Sequence, residues 1–334
     1  MAYDKKLLAA ARRELERERV ARSEAFEERR REVYARQPRI RAIDRTLSQT
    51  AAAVLKAALN NGNDPTAAIE GLRQQNLALQ AERADLLRGM GFPSDYLTEK
   101  PQCEKCGDTG YAGSATCACV KERYARLLRE QLSTVLPIRD QNFARFNMEY
   151  YSTRPDKRLG LSPRENMEYN LDECKAYAKN FGAQSPNLLL YGSTGLGKTF
   201  LSSCIAEAVA ARGFSVAYDT AINIVAAYET IKFGGGNGEE AAERAARYER
   251  ADLLIIDDMG TEMGTAFTVS ALYNLINNRL MAGRPMIVNT NLPPNALSEK
   301  YSPAVASRLL GEFVSLRFFG DDIRLLKKPQ QCSD

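Results

Sequence analysis

The chain has 334 residues, 44% of them hydrophobic, with 46 basic against 42 acidic side chains, seven cysteines and no histidine. This length allows two domains, and the formal charge of +4 is too small for nucleic-acid binding by bulk electrostatics alone. Without histidine no imidazole can act as general base or ligand, so any metal must be held by sulfur or oxygen.

No apolar stretch approaches a membrane span, and Met1-Ala2-Tyr3-Asp4-Lys5-Lys6 lacks the apolar core of a signal peptide. An odd cysteine count fits a reducing compartment, so a cytoplasmic location is expected.

Residues 1–100 form a charged, helix-favouring region with no glycine before Gly62. From Asp4 to Arg36, Arg and Glu crowd around a thin apolar stripe, the pattern of a solvated helix or a long hairpin arm. Ile40, Ile43, Leu47, Ala51, Val54 and Ala58 then recur at helical steps. The run Asn60-Asn61-Gly62-Asn63-Asp64-Pro65 interrupts them, and Ile69, Leu72, Leu79 and Leu86 resume the stripe with polar Asn76 and Arg83 on its seam. Two antiparallel helices joined by that turn would bury both stripes, and such stripes also suit docking of a partner protein.

Cys103-Glu104-Lys105-Cys106 and Cys117-Ala118-Cys119 flank a loop containing Gly107, Gly110 and Gly113. Thiols so spaced predict a four-cysteine zinc site in a module of residues 101–135, with reduced structural thiols as the alternative. Four protein ligands leave no open position, which excludes catalytic zinc. Cys174, Cys204 and Cys332 stand alone and read as ordinary residues, Cys204 as core.

A connector over 136–160, containing Arg145 to Ser152, leads to a domain at 161–334 that starts with a helix from Ser162 to Asn180. Strand-like segments at Asn187–Tyr191, Ser215–Tyr218, Leu253–Asp257, Met286–Thr290 and Phe313–Leu316 alternate with helical patterns, which implies a parallel sheet covered on both faces. Between the first strand and the helix Phe200–Arg212 lies Gly192-Ser193-Thr194-Gly195-Leu196-Gly197-Lys198-Thr199, the strand-loop-helix setting of a phosphate-binding loop. Glycines let the backbone N–H groups face phosphates, Lys198 reaches the β- and γ-phosphates, and the Thr199 hydroxyl is expected on Mg²⁺. The chain is therefore expected to bind a nucleoside triphosphate.

The strand Ala251-Asp252-Leu253-Leu254-Ile255-Ile256 ends in Asp257-Asp258, a Walker B pattern. Asp257 is expected to hold Mg²⁺ and Asp258 to orient or deprotonate the attacking water. An Asp where many such ATPases carry Glu predicts slow turnover. Asn291, after the fourth strand, is expected to sense the γ-phosphate through its amide. The loop Phe233-Gly234-Gly235-Gly236-Asn237-Gly238 reads either as a mobile nucleic-acid contact or as a plain surface loop. Ser307-Arg308 and Arg324 bracket the last strand; an arginine there can stabilise transition-state charge across a subunit boundary, or simply be solvated.

On these residues the chain resembles the bacterial replicative helicase loaders, the DnaC/DnaI-type AAA+ ATPases, particularly Firmicute and phage-borne members. The matching stretches are Asn142–Ser152, Ser162–Met167, Ser185–Ser203, Asp252–Glu262 and Val305–Arg324, and the Cys103-x₂-Cys106-Gly-Asp-Thr-Gly segment is also similar. The resemblance implies an α/β AAA+ P-loop NTPase domain with sheet order 5-1-4-3-2, preceded by the helical N-terminal region and the zinc-like cysteine module. It further implies ATP and Mg²⁺ as ligands, single-stranded DNA and the replicative helicase as partners, Arg308 as arginine finger and Arg324 as second sensor. Ten residues follow Arg324, so the usual C-terminal helical lid is not expected.

The function expected is an ATP-dependent helicase loader whose subunits self-associate through their ATP sites. An IstB-type transposition helper acting on duplex DNA shares the same core and is the alternative. A small-molecule kinase would need an acceptor pocket and a lid that no sequence feature supplies.

Overall fold

The computed structural model describes residues 3–59, 66–135 and 142–326. They divide into two compact units, Arg12–Cys117 and the rest of the chain. The expected turn at 60–65, the start of the connector at 136–141 and Cys332 lie outside the described residues.

The helical unit contains most of α1 (Lys5–Arg36), α2 (Pro38–Leu59), α3 (Thr66–Gly89) and a small antiparallel hairpin of β1 (Tyr111–Ala112) with β2 (Ala115–Thr116). Within this unit the thin stripe of α1 is buried at Leu15, Phe26 and Val33. Arg22 falls on the same face and ion-pairs with the buried Asp108.

Helices α2 and α3 run antiparallel, as the cross-helix pairs Arg39 with Glu82, Asp44 with Arg83 and Thr50 with Asn76 require. The polar seam residues are thus matched. Arg83 Nε donates to Asp44 Oδ1 at 2.6 Å, and Thr50 Oγ1 donates to Asn76 Oδ1 at 3.0 Å.

The leucine stripe needs a correction. Leu72, Leu79 and Leu86 are only partly buried, whereas Leu87 is fully buried with Val33, Ile40 and Leu97. The buried side of α3 is set by its neighbours, and Leu87 is the residue that meets Val33, Ile40 and Leu97.

The other unit continues through α4 (Ala118–Val135), single 3-10 turns at Phe143–Arg145 and Met148–Tyr150, α5 (Pro163–Asn180), β3 (Asn187–Tyr191), α6 (Lys198–Ala211), β4 (Val216–Thr220), α7 (Ala221–Phe233) and α8 (Gly238–Arg250). It ends with β5 (Leu253–Met259), α9 (Ala266–Met281), β6 (Met286–Thr290), α10 (Pro294–Lys300), α11 (Pro303–Gly311), β7 (Phe313–Arg317) and α12 (Ile323–Leu326). Local chemistry sets several starts. Ser162 and Glu165 form a capping box with Pro163 in the first turn of α5, and Thr220, Asn237 and Thr265 cap α7, α8 and α9.

The five strands are all parallel, in the order β4-β5-β6-β3-β7. Counted from β3 as first, that is 5-1-4-3-2, the order the resemblance implies. Helices α4, α5 and α6 pack together as one layer and α7, α8 and α9 as the other, with α6 and α7 both touching β4 and β5. Leu189, Leu254, Ile256, Val288 and Leu272 form the core between sheet and helices, and such two-sided burial is why these strands read as continuous apolar runs.

By packing, α4 goes with this sheet rather than with the cysteine loop before it. Among the described residues no helix is long and apolar enough to cross a membrane.

Candidate functional site

The carboxyl ends of β3, β5 and β6 meet at one cleft of about 680 Å³, where ligands of open parallel sheets bind. The buried leucines 188–190 anchor β3, and the loop from Gly192 to Gly197 turns the chain into α6. Gly192 has φ +143° and a Cβ there would lie 2.0 Å from the Phe318 carbonyl oxygen, so only glycine fits. The loop is also latched from the C-terminal segment. Phe318 N donates to Tyr191 O at 2.8 Å, and Ile323 N donates to Gly195 O at 3.0 Å.

Helix α6 follows Gly197 in a left-handed conformation with no side-chain cap, unlike α5, α7, α8 and α9. Its first N–H groups therefore remain available to an anion. The buried Lys198 Nζ donates to the carbonyls of Gly192 and Ser193, both at 2.6 Å. Burial lowers its pKa to about 8, against the opposing pull of Asp258 and Asp257.

Behind the loop, Thr199 Oγ1 lies 3.0 Å from Asp257 Oδ2. A bulge separates the two aspartates. Between Ile256 and Met259 strand β5 advances one residue more than β6, and Asp258 takes a left-handed φ of +50°. Asp257 stays buried while Asp258 turns out to line the cleft.

Burial first, and then the neighbouring Asp257, raise the pKa of Asp258; Lys198, Arg324 and a hydrogen bond from Asn291 oppose the shift. The turn beyond is held by buried Glu262, which accepts from Gly260 N at 3.0 Å and from the Tyr301 hydroxyl.

The opposite end of the cleft is aromatic. Phe146 stacks on Tyr151 with centroids 5.8 Å apart and meets Phe200 edge-on at 5.6 Å, and Tyr150 lines the same wall. The Tyr151 hydroxyl donates to the Leu196 carbonyl at 3.1 Å. Arg324, on α12, also lines the cleft, with its Nε 3.3 Å from Asp322 Oδ1.

The structure thus gathers Thr194–Thr199, Asp258, Asn291 and Arg324 around one cavity, with Asp257 directly behind Thr199. Arg308, on α11, is not among the lining residues; its guanidinium lies 6.0 Å from the Tyr273 ring centroid. The loop at 234–238 is exposed and does not line the cleft.

Sequence reasoning missed the aromatic wall and the two strand residues that hold Asp257. Phe146 and Tyr151 had a signal in the aromatic density of the connector. Tyr218 and Asn289 had none, because a lone tyrosine or asparagine in a buried strand becomes meaningful only when the neighbouring strand is known. Tyr218 donates through its hydroxyl to Asp257 Oδ2, and Asn289 Nδ2 donates to Asp257 Oδ1 at 2.8 Å.

The four cysteines Cys103, Cys106, Cys117 and Cys119 have their sulfurs within 4.8 Å of one another. Cys103 Sγ and Cys117 Sγ are 3.7 Å apart. A tetrahedron of four thiolates around zinc, with bonds of about 2.3 Å, has edges of about 3.8 Å, so the thiols fit that ion. Asp108 braces the loop by accepting from Cys103 N at 2.9 Å and Gln102 N at 3.0 Å.

Residues 172–328 match the family model described as IstB-like ATP binding protein. The chain is 29% identical over 149 residues to an ATP-binding protein of an insertion sequence from Mycobacterium tuberculosis, covering 43% of this chain and 57% of the relative. It is 32% identical to the chromosomal replication initiator protein DnaA of Sphingopyxis alaskensis over 41% of this chain and 30% of the relative. It is 25% identical to the replicative helicase loader DnaC of Escherichia coli over 36% of this chain and 50% of the relative. The chain thus spans about half, or less, of the length of these curated relatives.

Proposed function

We propose that the IstB-like ATP-binding domain at residues 172–328 is the motor of a helicase loader: it binds and slowly hydrolyses ATP, and nucleotide occupancy gates assembly of the chain around single-stranded DNA. The observation that carries this reading is the convergence of Lys198, Asp258, Asn291 and Arg324 on one cleft, with Thr199 seated on Asp257.

The loop N–H groups and Lys198 hold the β- and γ-phosphates. Thr199 and Asp257 offer the hard oxygen donors that Mg²⁺ prefers, and the ion when bound neutralises phosphate charge. Asp258, with its raised pKa, accepts the proton of the attacking water while Asn291 orients the carboxylate. The aromatic wall of Phe146, Tyr151 and Phe200 takes the base, and Arg324 meets the phosphates from α12. Arg308, which does not line its own cleft, reaches the nucleotide of a neighbouring copy.

The cysteine loop from Cys103 to Cys119 is a structural zinc staple, and the N-terminal region at 1–100 docks the replicative helicase. Similarity to the E. coli loader over 36% of this chain supports the loader reading as a whole, and a helicase loader would work in the cytoplasm. A second reading, a transposition helper on duplex DNA, is favoured by the insertion-sequence relative.

One experiment separates them. The full chain with Mg²⁺ and ATP should retain its host's replicative helicase and load it onto single-stranded circles. Absence of any helicase interaction, together with tighter binding to duplex than to single strands, would transfer the assignment to the second reading.

A further inference from the structure

Asp257 is a buried carboxylate with an unusual set of partners. It is 4% exposed, and among the described residues no lysine or arginine forms an ion pair with it. Its charge is met instead by neutral donors: the Tyr218 hydroxyl, Asn289 Nδ2 at 2.8 Å, Thr199 Oγ1 at 3.0 Å and Asp258 N at 3.0 Å. Neutral donors hold the carboxylate without cancelling its charge, which acts on a nearby cation and already favours the ammonium form of Lys198.

Two of these donors come from the neighbouring strands. Tyr218 stands on β4 and Asn289 on β6, the strands on either side of β5. Both are buried, at 3% and 0% exposure. Asn289 Nδ2 is also 2.7 Å from Ser202 Oγ, and Ser202 Oγ donates to the Thr199 carbonyl at 3.1 Å, which closes the network back onto α6. The clamp sits where β5 bulges, at the point where an unbraced carboxylate would have most freedom.

We infer that Tyr218 and Asn289 are positioning residues that fix the Asp257 carboxylate from both sides and thereby set the affinity and choice of the divalent ion. This rests on the reading that Asp257 faces that ion. Groups that hold a ligating carboxylate typically govern metal affinity by about 10–100-fold. Mg²⁺ demands near-ideal octahedral geometry whereas Ca²⁺ tolerates irregular oxygen sets, so loosening the clamp penalises Mg²⁺ more than Ca²⁺.

The test uses the full chain, ADP as the nucleotide and calorimetric titration of Mg²⁺ or Ca²⁺, with ADP binding in chelator as the reference. Tyr218→Phe removes one oxygen, and Asn289→Ser keeps a small donor should the first variant fold poorly. The expected result is an Mg²⁺ requirement raised roughly tenfold, a smaller rise for Ca²⁺, and unchanged ADP binding in chelator. Asp257→Asn serves as the control. If it abolishes the metal dependence while both clamp variants titrate like the parent protein, the inference is overturned and the reading of Asp257 stands. If Asp257→Asn leaves the metal dependence intact, both fall. An equal penalty for the two ions would also overturn the inference, since it would mean general damage to the site.

Discussion

Raising the pH should weaken nucleotide binding through a single side chain. Lys198 is buried against the carbonyls of Gly192 and Ser193, and burial brings its pKa down to about 8 in the free protein. Phosphate oxygens stabilise the ammonium, so the nucleotide complex holds the proton to higher pH. The sign follows directly: affinity is complete well below pH 8 and is lost as pH rises through the free-protein pKa. One unit above it about one molecule in eleven carries the charge beforehand, which lowers affinity about tenfold, or about 1.4 kcal/mol. Binding in that range must take up close to one proton per nucleotide. Isothermal titration with ATP in the presence of Mg²⁺, repeated in two buffers of different ionisation enthalpy, measures both quantities. An affinity unchanged to about pH 9.5, or a heat independent of the buffer, would refute the placement of Lys198 on the phosphates.

Other sites give sharper local tests. Gly192→Ala combines a left-handed backbone with a Cβ 2.0 Å from Phe318 O, so chemical denaturation should show a loss of roughly 2–6 kcal/mol; a loss below about 1 kcal/mol would mean the loop is looser than described. Arg308→Ala should leave ATP affinity of isolated subunits intact while hydrolysis in the assembled state falls on the order of a thousandfold, and equal losses in both assays would place Arg308 in its own subunit. Metal analysis of the full chain should find about one zinc, absent after Cys103→Ser; four freely titrating thiols with no zinc in the parent protein would remove the staple.

How much of this was legible depends on the range of the interaction. The phosphate loop is a local code: glycines, an uncapped helix start and Lys198-Thr199 sit in one short stretch, and the structure places them where that stretch implies. The five strands were equally visible, because two-sided burial writes itself as apolar runs such as Leu188-Leu189-Leu190 and Leu253-Leu254-Ile255-Ile256. What was not visible is lateral. The bulge that sends Asp258 outward and keeps Asp257 in depends on pairing with β6, and the clamp from Tyr218 and Asn289 depends on strand order. The leucine heptad of α3 misled for a related reason, since spacing alone does not say which side of a straight helix a neighbour covers, and the buried residue proved to be Leu87. The matched pairs Asp44–Arg83 and Thr50–Asn76 show polar seam positions fixing helix register, information that appears only once both helices are in view.

Every role proposed for these residues requires the cleft between the phosphate loop and the aromatic wall to be a triphosphate site. Equilibrium binding of a fluorescent ATP analogue to the full chain with Mg²⁺ tests this most directly, with Lys198→Ala alongside. Saturation at one nucleotide per chain, lost in the variant and displaced by ATP, is the predicted result. Correctly folded protein that shows no saturable binding, or a variant that binds as well as its parent, would contradict it.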